Sequence, residues 1–166
     1  MGLAMSYLRV PPVVEGETDP GRIARHVFGD REWRRRAAPV DLGGAWQALH
    51  YLLTGDAWDG RQPEADVVCG GRLLTEDGAD ELGMDVVYLA PDRVKPAADH
   101  LAATPFADVA ARFDPAAMHA AGVQEAAGLD AAARDEVLAP AYRALTGLFR
   151  AAADEGEAVY KVMFAS

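Results

Sequence analysis

Apolar positions along this chain switch repeatedly between strand-like and helix-like spacing. Ala4 to Val10 reads as a strand, and Pro11-Pro12 ends it because proline cannot donate to a ladder. Asp19-Pro20 has the form of a helix start, with Asp as N-cap and Pro at the first helical position, and Ile23, Val27 and Phe28 give that helix an apolar face. Gly29-Asp30 interrupts it, and Arg31 to Arg36 form a short basic helix or turn around Trp33. Asp41 is the expected cap of the next helix. There Leu42, Ala45, Trp46, Leu49, Leu52 and Leu53 recur at spacings of three and four and fill an arc of about 120°. Gly55 supplies the left-handed residue that ends it, and Asp56 to Glu64 reads as a loop that leaves Trp58 exposed.

Val67-Val68-Cys69 is the next expected strand, stopped by Gly70-Gly71, and Met84 to Leu89 is another, apolar on both faces and so central in a sheet. Ala90-Pro91, Thr104-Pro105 and Asp114-Pro115 each place a proline where its missing N–H costs nothing, which predicts a run of short helices. Pro96 should kink the first of them. Asp130 caps the last and longest helical segment, which Pro140 kinks or splits and Gly156 ends. Its expected buried stripe is Val137, Leu138, Ala141, Leu145, Leu148, Phe149 and Ala152. Ala158 to Phe164 is the last strand, apolar on both faces except at Lys161, and so interior. The expected architecture is α/β, a single domain over residues 1–166, with a small mixed β-sheet flanked by several short helices.

Composition changes this picture little. With 166 residues the chain suits one domain that needs no disulfide or metal staple. Its formal net charge of −10 weighs against nucleic acid and anionic membrane, which call for a basic face, and leaves a basic protein partner open. Cys69 is the single cysteine, which excludes an internal disulfide or a CxxC pair. No apolar run reaches the length of a membrane helix and the first residues lack a signal-peptide pattern, so a cytoplasmic location is expected. Met1 to Ser6 fits the myristoylation pattern, but reads better as the start of the first strand.

Several motifs carry a family resemblance. Tyr7-Leu8-Arg9-Val10, the run Ala45-Trp46 through His50-Tyr51-Leu52-Leu53-Thr54-Gly55, Gly70-Gly71, Leu82-Gly83, Tyr88-Leu89-Ala90-Pro91 and Arg112-Phe113-Asp114-Pro115-Ala116-Ala117-Met118 follow in order, as does the late helix before Ala153 to Phe164. In these the chain resembles the YfbM-like family of bacterial proteins over nearly its whole length. The resemblance implies an α/β fold with a small mixed sheet and a domain of unknown function, with no catalytic residues to carry over. Two stretches depart from the family's pattern. Gly83-Met84-Asp85-Val86-Val87 lacks the family's Gly-Tyr-Gly-Pro-Ala-Arg, and Gly122-Val123-Gln124-Glu125 replaces its Ile-Tyr-Pro turn.

Candidate chemistry is sparse. His50 lies about 40° beyond Trp46, on the rim of the apolar arc, where a histidine can face a cleft as acid or base or can bond a loop carbonyl. Trp46 reads as a core anchor. Cys69, before two glycines, is a nucleophile only with a histidine in reach and otherwise a buried thiol. Arg93 is a third weak catalytic candidate beside these two. Arg31, Arg34, Arg35 and Arg36 form the one basic cluster, able to bind an anion or to pair with the chain's own carboxylates. His26, His100 and His119 are scattered without metal-ligand spacing, Gly70-Gly71 lacks a phosphate-loop ending, and no GxSxG occurs, so no metal and no cofactor are expected. Asp77, Asp80, Glu81 and Asp85 read as solvated.

Two functional expectations follow. The first is a small cytoplasmic binding or interaction protein without catalytic activity, inhibitor- or immunity-like towards a basic partner, with Trp46, His50, Trp58, Arg34 and Arg35 as weak binding candidates. The alternative is a small enzyme using His50 in a cleft. A monomer is expected, or a homodimer joined through Trp33 or Trp58.

Overall fold

The computed structural model describes residues 2–11, 17–29, 39–74 and 85–165. Among these a five-stranded sheet runs in the order β2-β1-β5-β4-β3. Its strands are β1 (Leu3–Val10), β2 (Val40–Gly43), β3 (Arg72–Leu73), β4 (Asp85–Leu89) and β5 (Ala158–Ala165). The helices are α1 (Pro20–Gly29), α2 (Trp46–Thr54), α3 (Pro91–Ala103), α4 (Phe106–Ala110), α5 (Pro115–Ala120), α6 (Ala131–Ala133) and α7 (Ala139–Asp154). The α/β class and the small sheet flanked by short helices are as expected. Strand direction refines that picture: each described pairing is antiparallel rather than mixed. The connections explain it. β4 ends at Leu89, opposite Val159 near the start of β5, so the intervening helices leave and re-enter at one end of the sheet.

The helix starts follow local chemistry. Asp19 accepts from the Arg22 N–H, Asp114 from that of Ala117 and Asp130 from that of Ala133, each satisfying an orphan donor of a first turn. Gly55 closes α2 at φ 81°, donating to the Tyr51 carbonyl. Pro140 is absorbed by a π-helical turn over Arg134–Leu138, which joins α6 to α7. Proline has no N–H for the carbonyl four residues back and its ring crowds that carbonyl, so the helix widens there.

Two expected local features are different. Asp41 does not cap α2; it lies in β2 opposite Ser6, its carboxylate accepting from the Gly43 N–H, and α2 starts at Trp46 with no side-chain cap. Edge pairing with β1 takes the backbone of 40–43 before a helix can start there. Val67-Val68-Cys69 is not a strand either. It follows a 3-10 turn over Glu64–Asp66, and the short β3 after it pairs with β4. Close packing forces this turn: a Cβ at Gly70 would lie 2.4 Å from the Asp66 carboxylate.

The sheet divides the core. One face carries Leu8, Val10, Val86, Ala158, Tyr160 and Val162 and is covered by Ile23, Val27 and Phe28 of α1. The other carries Met5, Tyr7, Leu89, Val159 and Met163 against α2, α3 and α7. Lys161 belongs to this second face, paired in register with Tyr7 on one side and Val87 on the other.

Candidate functional site

The unusual chemistry lies where the second face meets the irregular segment 55–71. That segment carries carbonyls which neither a helix nor a strand satisfies, and buried carbonyls require donors. Side chains from the surrounding elements supply them. The Tyr7 hydroxyl donates to the Val67 carbonyl at 2.8 Å, and Gln47 Nε2 to that of Ala57 at 3.3 Å. His50 Nε2 meets the Asp59 carbonyl at 2.9 Å. Lys161 Nζ donates to the carbonyls of Asp66 and Gly70, each at 2.6 Å.

Lys161 is 0% exposed, and burial brings its ammonium down to about 7, with Arg93 pushing the same way and Cys69 and Asp66 opposing. A neutral amine carries two N–H groups, and two carbonyls are there to receive them. His50 is also 0% exposed, and its Nδ1 has no hydrogen-bond partner among the described residues. A carbonyl opposite Nε2 requires the proton on Nε2, so Nδ1 is the unprotonated nitrogen. Protonating it would put an unpaired N–H in the core, and burial accordingly lowers the ring below the ordinary histidine value. Cys69 is half-buried, and burial pushes its thiol up to about 11, so it carries little thiolate near neutral pH. Asp66, 2% exposed, receives Nε of Arg93 at 2.9 Å and Nη2 at its other oxygen, a bidentate pair that locks the 3-10 turn to α3.

This places the sequence candidates. His50 is on the buried side of α2, not at a cleft, because Asp56–Asp59 folds back over the helix to reach it. Trp46 is a buried anchor whose Nε1 donates to the Leu3 carbonyl at 2.8 Å. Trp58, 54% exposed, tilts against Trp46 with ring centroids 5.4 Å apart. Arg93 serves Asp66, and Cys69 ends a turn rather than a strand. Trp33 and the basic cluster with Arg34 and Arg35 lie outside the described residues. No group of three or more metal-ligating side chains occurs among the described residues. No described helix is long and apolar enough to cross a membrane.

The residue that sequence reasoning passed over is Lys161. Its signal was present: a lone lysine in a strand apolar on both faces must find acceptors or lose its charge. Asp66 gave no such signal, because its partner is 27 positions away.

Among the depressions that open to solvent elsewhere on the described residues, two are sizeable. The larger, about 920 Å³, runs between α3, α4 and α7 over Phe106 and Tyr142, whose hydroxyl donates to the Thr104 carbonyl. The smaller, about 470 Å³, lies between the end of α2, the 3-10 turn and α3–α4. It holds His100, whose Nδ1 is 3.7 Å from the Glu64 carboxylate.

A family model described as "Domain of unknown function (DUF1877)" matches residues 1–161. No curated protein matches the chain. Among solved structures, the protein of unknown function YfbM from Escherichia coli superposes with a TM-score of 0.67 at 13% identity, over 96% of this chain and 99% of that one. At that identity the likeness concerns the fold alone.

Proposed function

The chain belongs to the DUF1877 family of domains of unknown function, and from that premise we propose that it is a small binding or interaction protein without a catalytic centre, acting on a basic protein partner. One observation carries the reading. The groups able to do proton or nucleophile chemistry in the core, His50, Lys161 and Asp66, are at most 2% exposed and hold backbone carbonyls or an arginine. Such groups maintain a shape rather than meet a substrate. The formal net charge of −10 supplies the selectivity, since an acidic surface steers cationic partners and repels nucleic acid. The alternative of an enzyme acting through His50 requires a cleft at that ring and gains nothing from a ring enclosed by the loop.

The test is recovery of partners by the tagged full chain from its native host at low and at high salt. A basic protein in stoichiometric amount, released as salt screens the contact, is the expected result. Recovery of no stoichiometric partner at either salt overturns the reading.

A further inference from the structure

The smaller depression combines features that none of the buried groups has: it is open, polar and carries both signs of charge. Arg61 and Arg112 stand in it with Glu64 and Asp108, two cations against two anions in a chain that is otherwise strongly acidic. Only part of this charge is used internally. Arg112 Nη1 donates to the carbonyls of Leu52 at 2.9 Å and Leu53 at 3.0 Å, at the end of α2, and no other atom of that guanidinium makes a described hydrogen bond. The side chains of Arg61 and Asp108 make no hydrogen bond or ion pair with any described residue, and both residues are exposed. Glu64 faces the His100 ring at 3.7 Å, longer than a hydrogen bond, with both side chains about a quarter exposed. Leu53 and Val109 supply an apolar wall.

We propose that this depression binds a small zwitterion, a free α-amino acid with a compact aliphatic side chain. A depression in which Arg61 and Asp108 are unpaired among the described residues, while Arg112 and Glu64 are only partly engaged, gains little from a simple anion or cation, because the charges of the ligand's own sign repel it. A dipolar ligand satisfies both signs. Guanidinium forks receive a carboxylate in bidentate fashion, and carboxylates receive an ammonium. The volume of about 470 Å³ is within the range of small-ligand sites and exceeds what one amino acid needs. His100 lines the depression beside Glu64, so its ring reports occupancy. This inference goes beyond the partner reading and shares no residue with it, so either can fail alone.

The probe is L-valine, titrated into the full chain while the His100 ring signals are followed by NMR. Isovalerate and isobutylamine, which keep the side chain but carry only one of the two charges, are the controls. Saturable His100 shifts with a dissociation constant of about 1 mM or tighter are expected, with either control at least about tenfold weaker. Arg61→Ala and Glu64→Gln, both at solvent-reachable side chains, should each weaken L-valine about tenfold or more without changing the unfolding midpoint. Equal response to all three probes, no saturable response, or binding unaffected by both substitutions overturns the proposal.

Discussion

The two faces of the sheet are closed by different physics. On the α1 face, closure is by apolar area: Phe28 meets Tyr160 edge-on at 6.0 Å, and Tyr160 meets Tyr88 at 5.3 Å. A polar tie there is a long bond of 3.3 Å from the Tyr160 hydroxyl to the Pro20 carbonyl. On the opposite face, helices supply most of the cover, as where Phe149 of α7 meets Tyr7 at 6.3 Å, but the irregular 55–71 segment supplies the rest. A helix brings its own satisfied backbone into the core; an irregular segment brings unpaired carbonyls. Tyr7, Gln47, His50 and Lys161 are the donors this requires. The lesson is that a cluster of buried tyrosine, histidine and lysine, which looks like a reaction centre, can be the cost of covering a sheet with a loop.

Cavities provide the largest expected effects and should not distinguish the faces. Phe28→Ala on one side and Trp46→Ala on the other should each lose about 3–5 kcal/mol in denaturant unfolding. A loss confined to one of them would mean that the faces differ in packing and not only in polarity.

Lys161→Met separates the faces. It keeps the stem volume but strips the Asp66 and Gly70 carbonyls of their donor, and should cost about 2–4 kcal/mol at pH 8. A variant as stable as the parent would show that the lysine is a burden rather than a donor.

The pH profile of unfolding tests the same group. Its folded value of about 7 lies below the ordinary lysine value, so between the two the unfolded chain binds the extra proton. Stability therefore rises as pH increases above about 7. Cys69, raised to about 11 in the fold, acts in the opposite direction once pH exceeds its ordinary value near 9. The expected profile climbs between about pH 7 and 9, by roughly 1.4 kcal/mol per unit at most from this one proton, and the climb disappears in Lys161→Met. An unchanged slope in the variant would assign the effect to another group.

The smallest comparison pits two tyrosines against each other. Tyr7→Phe leaves the buried Val67 carbonyl without its donor and should cost about 1–2 kcal/mol. Tyr160→Phe gives up only the long bond to Pro20 and should cost about 0.5 kcal/mol. Equal losses would erase the distinction between a face closed by area and one closed by hydrogen bonds.

Local rules in the chain were sufficient for much of the fold. Proline and aspartate positions announced the starts of α1, α3, α5 and α6, and Gly55 announced the end of α2. They failed where tertiary pairing competes with local preference. Asp41 is a good N-cap, but β1 offers residues 40–43 a strand partner, and Val67-Val68 has strand composition while Gly70 packs against Asp66 and turns the chain. His50 illustrates the limit for chemistry. Helical periodicity placed it beside the apolar arc, and whether that rim meets a cleft or a loop depends on residues 56–59, which carry no periodic signal.

By itself the sequence determined the α/β class, the capped short helices, the apolar stripes apart from Val137, which is 52% exposed in the π-helical turn, and the net charge of −10, because these depend on residues close together in the chain or on simple counts. Only the tertiary structure decided that the 55–71 segment roofs one sheet face, that Lys161 and His50 serve its carbonyls, and that Arg61, Glu64, His100, Asp108 and Arg112 share one open depression. The physical reason is the same in each case. Unpaired carbonyls and unpaired charges find their partners through space, from 9 residues away for His50 to 95 for Lys161, and no spacing rule connects them beforehand.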